Sequence, residues 1–199
     1  MSQSFYLSAF AVNDDSLVAC AQNQVHGSYF GPMIKLSNRM QHIFDRLLPG
    51  QPVWDLCCDH GYLGLQAYRS GLFTQVFLVD KVPEIISELE HRFYSNYLKD
   101  GQSAQVKFIA LPGEDLVDEI QGNLVIAGVG AHTILKILMN LRKKGLLSAK
   151  QVILLPQRQE QWLEDIISAS ETFGDYNLFE KHELLERGRL RKVLIFRRN

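Results

Sequence analysis

The stretch Val53-Trp54-Asp55-Leu56-Cys57-Cys58-Asp59-His60-Gly61 decides how this chain is read. Pro52–Cys57 is apolar enough for a strand buried on both faces. A short turn of small and polar residues follows, and then a helical pattern over Tyr62–Arg69. Strand, tight turn and helix form the unit on which open α/β sheets hold ligands, beyond the carboxyl ends of their strands.

Working outward, the same alternation repeats. Gln75–Asp80 reads as a second buried strand, followed by a helix with Pro83 in its first turn and Ile85, Ile86, Leu89, Phe93 and Tyr97 along one side. Val106–Ala110, Asn123–Ala127 and Gln151–Leu155 read as three more strands, with helices over Thr133–Lys143 and Gln159–Glu171. Upstream, Ser37 is a suitable N-cap for a helix with Met40, Ile43, Phe44, Leu47 and Leu48 on one face, ended by Pro49-Gly50. Strands alternating with helices predict a parallel sheet covered on both faces. The ending differs: Tyr176–Leu185 and Leu190–Phe196 flank a turn at Gly188 and predict a hairpin. The expected architecture is therefore α/β, a mostly parallel sheet closed by a C-terminal antiparallel hairpin, as in the Rossmann-like class I methyltransferases. Residues 1–34 show no clean period and read as an N-terminal extension or lid, with Phe30 a candidate for stacking on a base. Residues 35–199 form the domain itself.

Composition narrows the class. The 199 residues suffice for one domain, and 46% hydrophobic with 22% charged residues is ordinary for a soluble protein. No apolar run approaches the roughly 20 residues that span a bilayer, so no membrane association is expected. Met1–Phe10 lacks the basic start and apolar stretch of a signal peptide. Three cysteines, two of them adjacent at Cys57 and Cys58, give neither a disulfide framework nor a C-x-x-C spacing. A cytoplasmic location and no metal are the corresponding expectations. The net charge of −1 is neutral towards nucleic acid, but two basic clusters stand out. One is Arg187, Arg189, Arg191, Lys192, Arg197 and Arg198; the other is Arg142, Lys143 and Lys144. They are either a phosphate-binding face or solvated strand and helix ends.

The turn after the first strand reads Asp55-x-Cys57-x-Asp59-x-Gly61, which resembles the D-x-G-x-G-x-G motif of methyltransferases, with Cys57 and Asp59 in place of glycines. Neither G-x-G-x-x-G nor G-x-x-x-x-G-K-[ST] occurs. Asp55 and Asp59 would repel the phosphates of a dinucleotide or ATP but suit a cationic sulfonium and amino group. S-adenosyl-L-methionine is therefore the expected cofactor. Asp80 ends the second strand about 20 residues beyond the turn, as a ribose-binding acid does, with Lys81 beside it. Glu114 and Asp115 follow the third strand, as acids for adenine's amino group or as a helix N-terminal pair. Ala127-Gly128-Val129-Gly130 puts small residues where acceptor and methyl group must meet.

These residues also resemble a particular family. Leu36-Ser37-x-Arg39, the stretch Asp55–Leu63 with Asp59-His60-Gly61-Tyr62-Leu63, and Ala127-Gly128-Val129-Gly130 look like the TrmK-type bacterial tRNA methyltransferases. Leu154-Leu155-Pro156-Gln157 with Trp162-Leu163 extends the likeness, which spans about Leu36–Phe196. Cys57 replaces the family's glycine, and Val129 and Ala131 replace Met and Gly of its A-G-M-G-G. The family also carries a C-terminal helical hairpin that helps hold tRNA, beyond the hairpin that ends this sequence. The resemblance implies methylation of ring N1 of an adenine in tRNA, with tRNA or another RNA as partner. The candidate cofactor set is Asp55, Cys57, Asp59, His60, Gly61, Asp80, Lys81, Glu114, Asp115, Ala127 and Gly128. For the reaction the candidates are His60, Asp59 and Arg39, the last near the mouth of the site. Tyr62 is a second candidate for stacking on a base.

No [D/N]-P-P-[Y/F] motif for an exocyclic amine follows the fourth strand, and Pro156 precedes Gln157 rather than a nucleophilic cysteine. Ring N1 has a free lone pair and needs positioning more than activation. Two further readings stay open: a methyltransferase for another RNA, a protein or a small molecule, and a module that binds cofactor or RNA without catalysis. The sequence sets no oligomeric state.

Overall fold

The computed structural model describes residues 34–97, 105–186 and 188–199. Phe30, Arg187 and the extension up to Met33 lie outside the described residues. Ser37 caps α1 (Asn38–Phe44), its hydroxyl accepting from the Met40 amide. The helix ends earlier than Pro49-Gly50. The amides of Arg46 and Leu47 donate to the carbonyls of Ile43 and Phe44, and these tighter bonds close the last turn. Then follow β1 (Val53–Leu56), α2 (Tyr62–Ser70), β2 (Val76–Asp80), α3 (Pro83–Asn96) and β3 (Val106–Ala110). After a 3-10 turn at Gly113–Asp115 come β4 (Ile120–Ala127), α4 (Ala131–Lys143), β5 (Leu147–Leu155) and α5 (Glu160–Ala169). A second 3-10 turn leads to β6 (Tyr176–Glu186) and β7 (Arg189–Arg198).

The sheet order is β3-β2-β1-β4-β5-β7-β6. β1 to β5 pair in parallel, whereas β7 runs antiparallel to both β5 and β6. Alternate residues of β1 enter opposite cores. Trp54 and Leu56 pack with Ile134, Ile137 and Leu138 of α4; Val53 joins Ile43 of α1, Leu63 of α2 and Leu89 of α3. This two-sided burial is why the strands are apolar throughout. β4 and β5 begin earlier than the apolar runs suggest, because Ile120–Gly122 pairs with Leu147–Ala149 before a register shift at Gly122/Asn123. Buried Asn123 is fully used at that point: its Oδ1 accepts from the Leu48 amide (2.8 Å), and its Nδ2 donates to the Leu48 carbonyl (3.0 Å). Among the described residues no helix is long and apolar enough to cross a membrane.

Candidate functional site

Strand order reverses between β1 and β4, the neighbours that feed helices to opposite faces. The turn after β1 is therefore the first element of the site. Cys57 (φ 59°), Asp59 (φ 49°) and Gly61 (φ 64°) all adopt left-handed backbone. Two non-glycine residues thus hold the conformation that the glycine motif exists to permit, at a cost of order 1–2 kcal/mol each. Gly61 has a second reason to be glycine: a Cβ there would stand 2.6 Å from Leu89 Cδ2.

Asp80 fixes this turn from the end of β2. Its Oδ2 accepts from the Asp59 amide (3.2 Å), and its Oδ1 accepts from the Val82 amide (3.1 Å). Each carboxylate oxygen keeps a further lone pair for a ligand. Asp55 is buried beneath the turn, and its Oδ2 accepts from the Gly64 amide (3.1 Å) in the first turn of α2. Burial pushes its pKa up from 3.8 to about 7 and Asp80 adds to the shift, against the opposing effect of the Gly64 hydrogen bond.

A cleft of about 650 Å³ opens over these strand ends, a volume in the range of cofactor sites. Cys57, Asp59, Asp80 and Lys81 form one side; Leu111–Glu114 come from the end of β3, and Gly128–Gly130 from the end of β4. Thr133, Lys136 and Ile137 of α4 and Gln157 after β5 complete it. Gly128 (φ 78°) has open space where a Cβ would stand. Glu114 Oε1 accepts from Lys136 Nζ at 2.8 Å. Burial works to raise the Glu114 pKa, but the Lys136 ammonium outweighs it and holds the carboxyl below its usual range.

The structure gathers Cys57, Asp59, Asp80, Lys81, Glu114 and Gly128 around one cleft. Asp55, Gly61 and Ala127 lie behind its wall as buried supports, and Asp115 is exposed on the 3-10 turn. His60 stands on an outer lip, its side chain 66% exposed, with Nε2 3.9 Å from Asp59 Oδ2. Arg92 of α3 donates to the His60 carbonyl and lies 5.6 Å from the Tyr62 ring centroid. Arg39 sits half-buried on α1, which packs against α2 and β6 rather than lining the cleft.

Lys136 and Gln157 join the cleft without any sequence motif that marks them as site residues. Gln157 ties the two central loops together: its amide donates to the Val129 carbonyl (2.9 Å) and its side chain to the Gly128 carbonyl. Arg191 donates in turn to the Gln157 carbonyl. The basic clusters also separate in space. Because β7 is antiparallel to β5, with Leu154 opposite Leu194 and Gln151 opposite Arg197, Arg189 and Arg191 lie at the cleft end and Arg197 and Arg198 at the far end. Arg142 and Arg198 are bound to Asp175. Arg197 donates to Gln151 and covers the Phe179 ring. Lys144 donates to the Glu114 and Leu116 carbonyls.

A mostly parallel sheet of this order, with its cleft at the switch point and an antiparallel hairpin at the end, is the class I methyltransferase fold. A family model described as "Methyltransferase domain" matches residues 36–194, and the chain belongs to that family. It is an S-adenosylmethionine-dependent methyltransferase domain. Among curated proteins none matches the sequence significantly. The solved structures similar to it include the B. subtilis m1A22 tRNA methyltransferase TrmK. That match has 20% identity and a TM-score of 0.65, and it covers 84% of this chain and 68% of that one. M. capricolum TrmK bound to S-adenosyl-homocysteine is 18% identical, with a TM-score of 0.66 and coverage of 82% and 69%. Magnesium protoporphyrin IX methyltransferase from Synechocystis PCC 6803, with bound SAM, is 15% identical, with a TM-score of 0.63 and coverage of 96% and 100%. At these identities the likeness is one of fold.

The cleft residues suit S-adenosylmethionine. Asp59, Asp80 and Glu114 outnumber Lys81 and Lys136, which favours a cationic ligand over a phosphate. Leu111, Pro112 and Ile137 supply an apolar wall for a purine ring.

Proposed function

We propose that this domain methylates ring N1 of an adenine in tRNA. The observation that carries the reading is the cleft floor. Gly128, Val129 and Gly130 line it with small side chains, no amine-activating motif stands there, and Arg189 and Arg191 lie at the same end of the sheet. The fold shared with two TrmK enzymes supports the reading.

When bound, S-adenosylmethionine supplies an electrophilic methyl group. The protein's task is then to hold the acceptor in line at about 3–3.5 Å, which can supply most of the acceleration. Asp80 would offer its remaining lone pairs to the ribose hydroxyls, and Glu114 would accept from the adenine amino group. The Gly128 position leaves room for the methyl path, with Gln157 fixing that loop. Asp59 would hold the cationic end of the cofactor. Ring N1 carries a free lone pair, so the acceptor would need no proton removed before attack, and His60 would orient it rather than act as a base. Tyr62, 48% exposed and flanked by His60 and Arg92, offers a stacking face for an extruded base.

The binding-only alternative rests on Cys57 and on the altered Gly128-Val129-Gly130-Ala131, and the structure bears on the first of these. The left-handed conformation of Cys57 supports an intact turn and weakens that reading. The test is incubation of the protein with unmodified tRNA and labelled S-adenosylmethionine, then digestion to nucleosides. Label in 1-methyladenosine is the expected result. Label in another nucleoside, or none with cofactor bound, would overturn the assignment.

A further inference from the structure

Away from the cleft, α1 meets the outer strand of the hairpin through three side chains with no role in methyl transfer. His42 of α1 stacks on His182 of β6, ring centroids 4.0 Å apart and planes 23° apart. Glu180 lies two residues before His182 on the same strand. One ligand-type atom from each of the three falls within 4.8 Å of the other two. His42 Nε2 is shut off from solvent with no hydrogen-bond partner among the described residues. A buried ring nitrogen left unpaired loses its hydration without return. Burial foremost, then Arg46 and His182, lowers the His42 pKa to about 4 against the opposing pull of Glu180 and Asp45, so the ring is neutral and keeps a lone pair at neutral pH.

We propose that His42, His182 and Glu180 form a binding site for a borderline divalent transition ion, Zn2+ by preference, which clips α1 to β6. Two imidazoles and one carboxylate suit Zn2+, whereas Mg2+ and Ca2+ select all-oxygen sets. Ligand bonds of about 2.0–2.2 Å place ligand atoms roughly 3.3 Å apart, so the ligand atoms close in by up to about 1.5 Å and the two imidazoles swing out of their stack to aim their lone pairs at one ion. Arg46 does not exclude the ion. Its Nε donates to Glu180 Oε1 at 2.7 Å and its Nη1 to the His42 carbonyl at 3.3 Å. Glu180 retains its second oxygen as the ligand, and Arg46 orients that carboxylate from outside the coordination sphere. The guanidinium charge works against the ion, which sets the site below the affinity of an all-thiolate site. The lack of a C-x-x-C spacing predicts no metal from sequence; this set joins two distant segments instead.

The test uses the full chain, stripped with a chelator, titrated with ZnCl2 and separately with MgCl2 by calorimetry, and with CoCl2 by absorption. Expected are one Zn2+ per chain, a raised Tm, no Mg2+ heat, and Co2+ bands without thiolate charge transfer. His182→Ala and His42→Gln should each lose the Zn2+ isotherm while retaining cofactor binding. Absence of Zn2+ binding by the wild type, Zn2+ binding unchanged in His182→Ala, or thiolate bands with Co2+ would each overturn the proposal. The Co2+ spectrum is read on the wild type, so the test stands even where a variant fails to fold. It does not depend on the methyl acceptor.

Discussion

The Asp80 carboxylate holds the backbone amide of Asp59 at 3.2 Å, joining the end of β2 to the turn after β1. The acid read as a ribose ligand is therefore also the clamp on a strained turn. Loss of Asp80 should act twice, on the ligand contact proposed for it and on the loop it holds.

Cys57 carries glycine's backbone conformation with a side chain. Cys57→Gly removes about 1–2 kcal/mol of strain but raises the entropy of the unfolded chain by about 0.5–1 kcal/mol, so it should be neutral to stabilising by about 1 kcal/mol. Cys57→Val puts a β-branched residue at positive φ and should destabilise by about 1–3 kcal/mol. Denaturant unfolding of both variants checks this; equal destabilisation would show that backbone strain is not the determinant.

Asp55 gives a pH signature. Its folded pKa of about 7 lies above the reference value of 3.8. Between those values the folded state binds more protons than the unfolded one, so this group's contribution to stability falls as pH rises. Asp55→Asn keeps an oxygen for the Gly64 amide and removes the buried charge. The variant should lose that part of the dependence between pH 4 and 7 and gain relative to wild type towards pH 8. Unfolding curves across this range with parallel pH profiles would contradict the assignment.

The two ends of β7 predict opposite phenotypes. Arg191→Glu, at the cleft end, gives up its bond to the Gln157 carbonyl as well as its charge, and should weaken tRNA binding and reduce the salt slope by about one charge. Arg197→Glu breaks the bond to Gln151 and the contact with Phe179. It should lower Tm and leave the salt slope of the folded protein unchanged. Filter binding across a salt series separates the two.

The strand–helix alternation made the sheet and its hairpin legible, because burial on both faces writes β1, β2 and the later half of β4 as apolar runs. The early ends of β4 and β5 were hidden: Gly122 and the stretch Ser148-Ala149-Lys150 break the pattern, yet the backbone there still pairs. Asp80, Glu114 and Gly128 could be read because each ends a strand or follows one closely, where an α/β sheet gathers ligands. Lys136 and Gln157 could not, since their place depends on how α4 and the β5 loop pack over the cleft. The division of the C-terminal arginines was equally concealed, because hairpin register alone sends Arg191 to the cleft end of the sheet and Arg197 to the opposite end.

Calorimetric titration of S-adenosylmethionine into the wild type and Asp80→Ala, both checked for folding by circular dichroism, tests the central claim most directly. One cofactor per chain, with affinity reduced about tenfold or more in Asp80→Ala, is the predicted result. No heat for the wild type at millimolar cofactor, or equal affinity in the variant, would contradict the cleft described above.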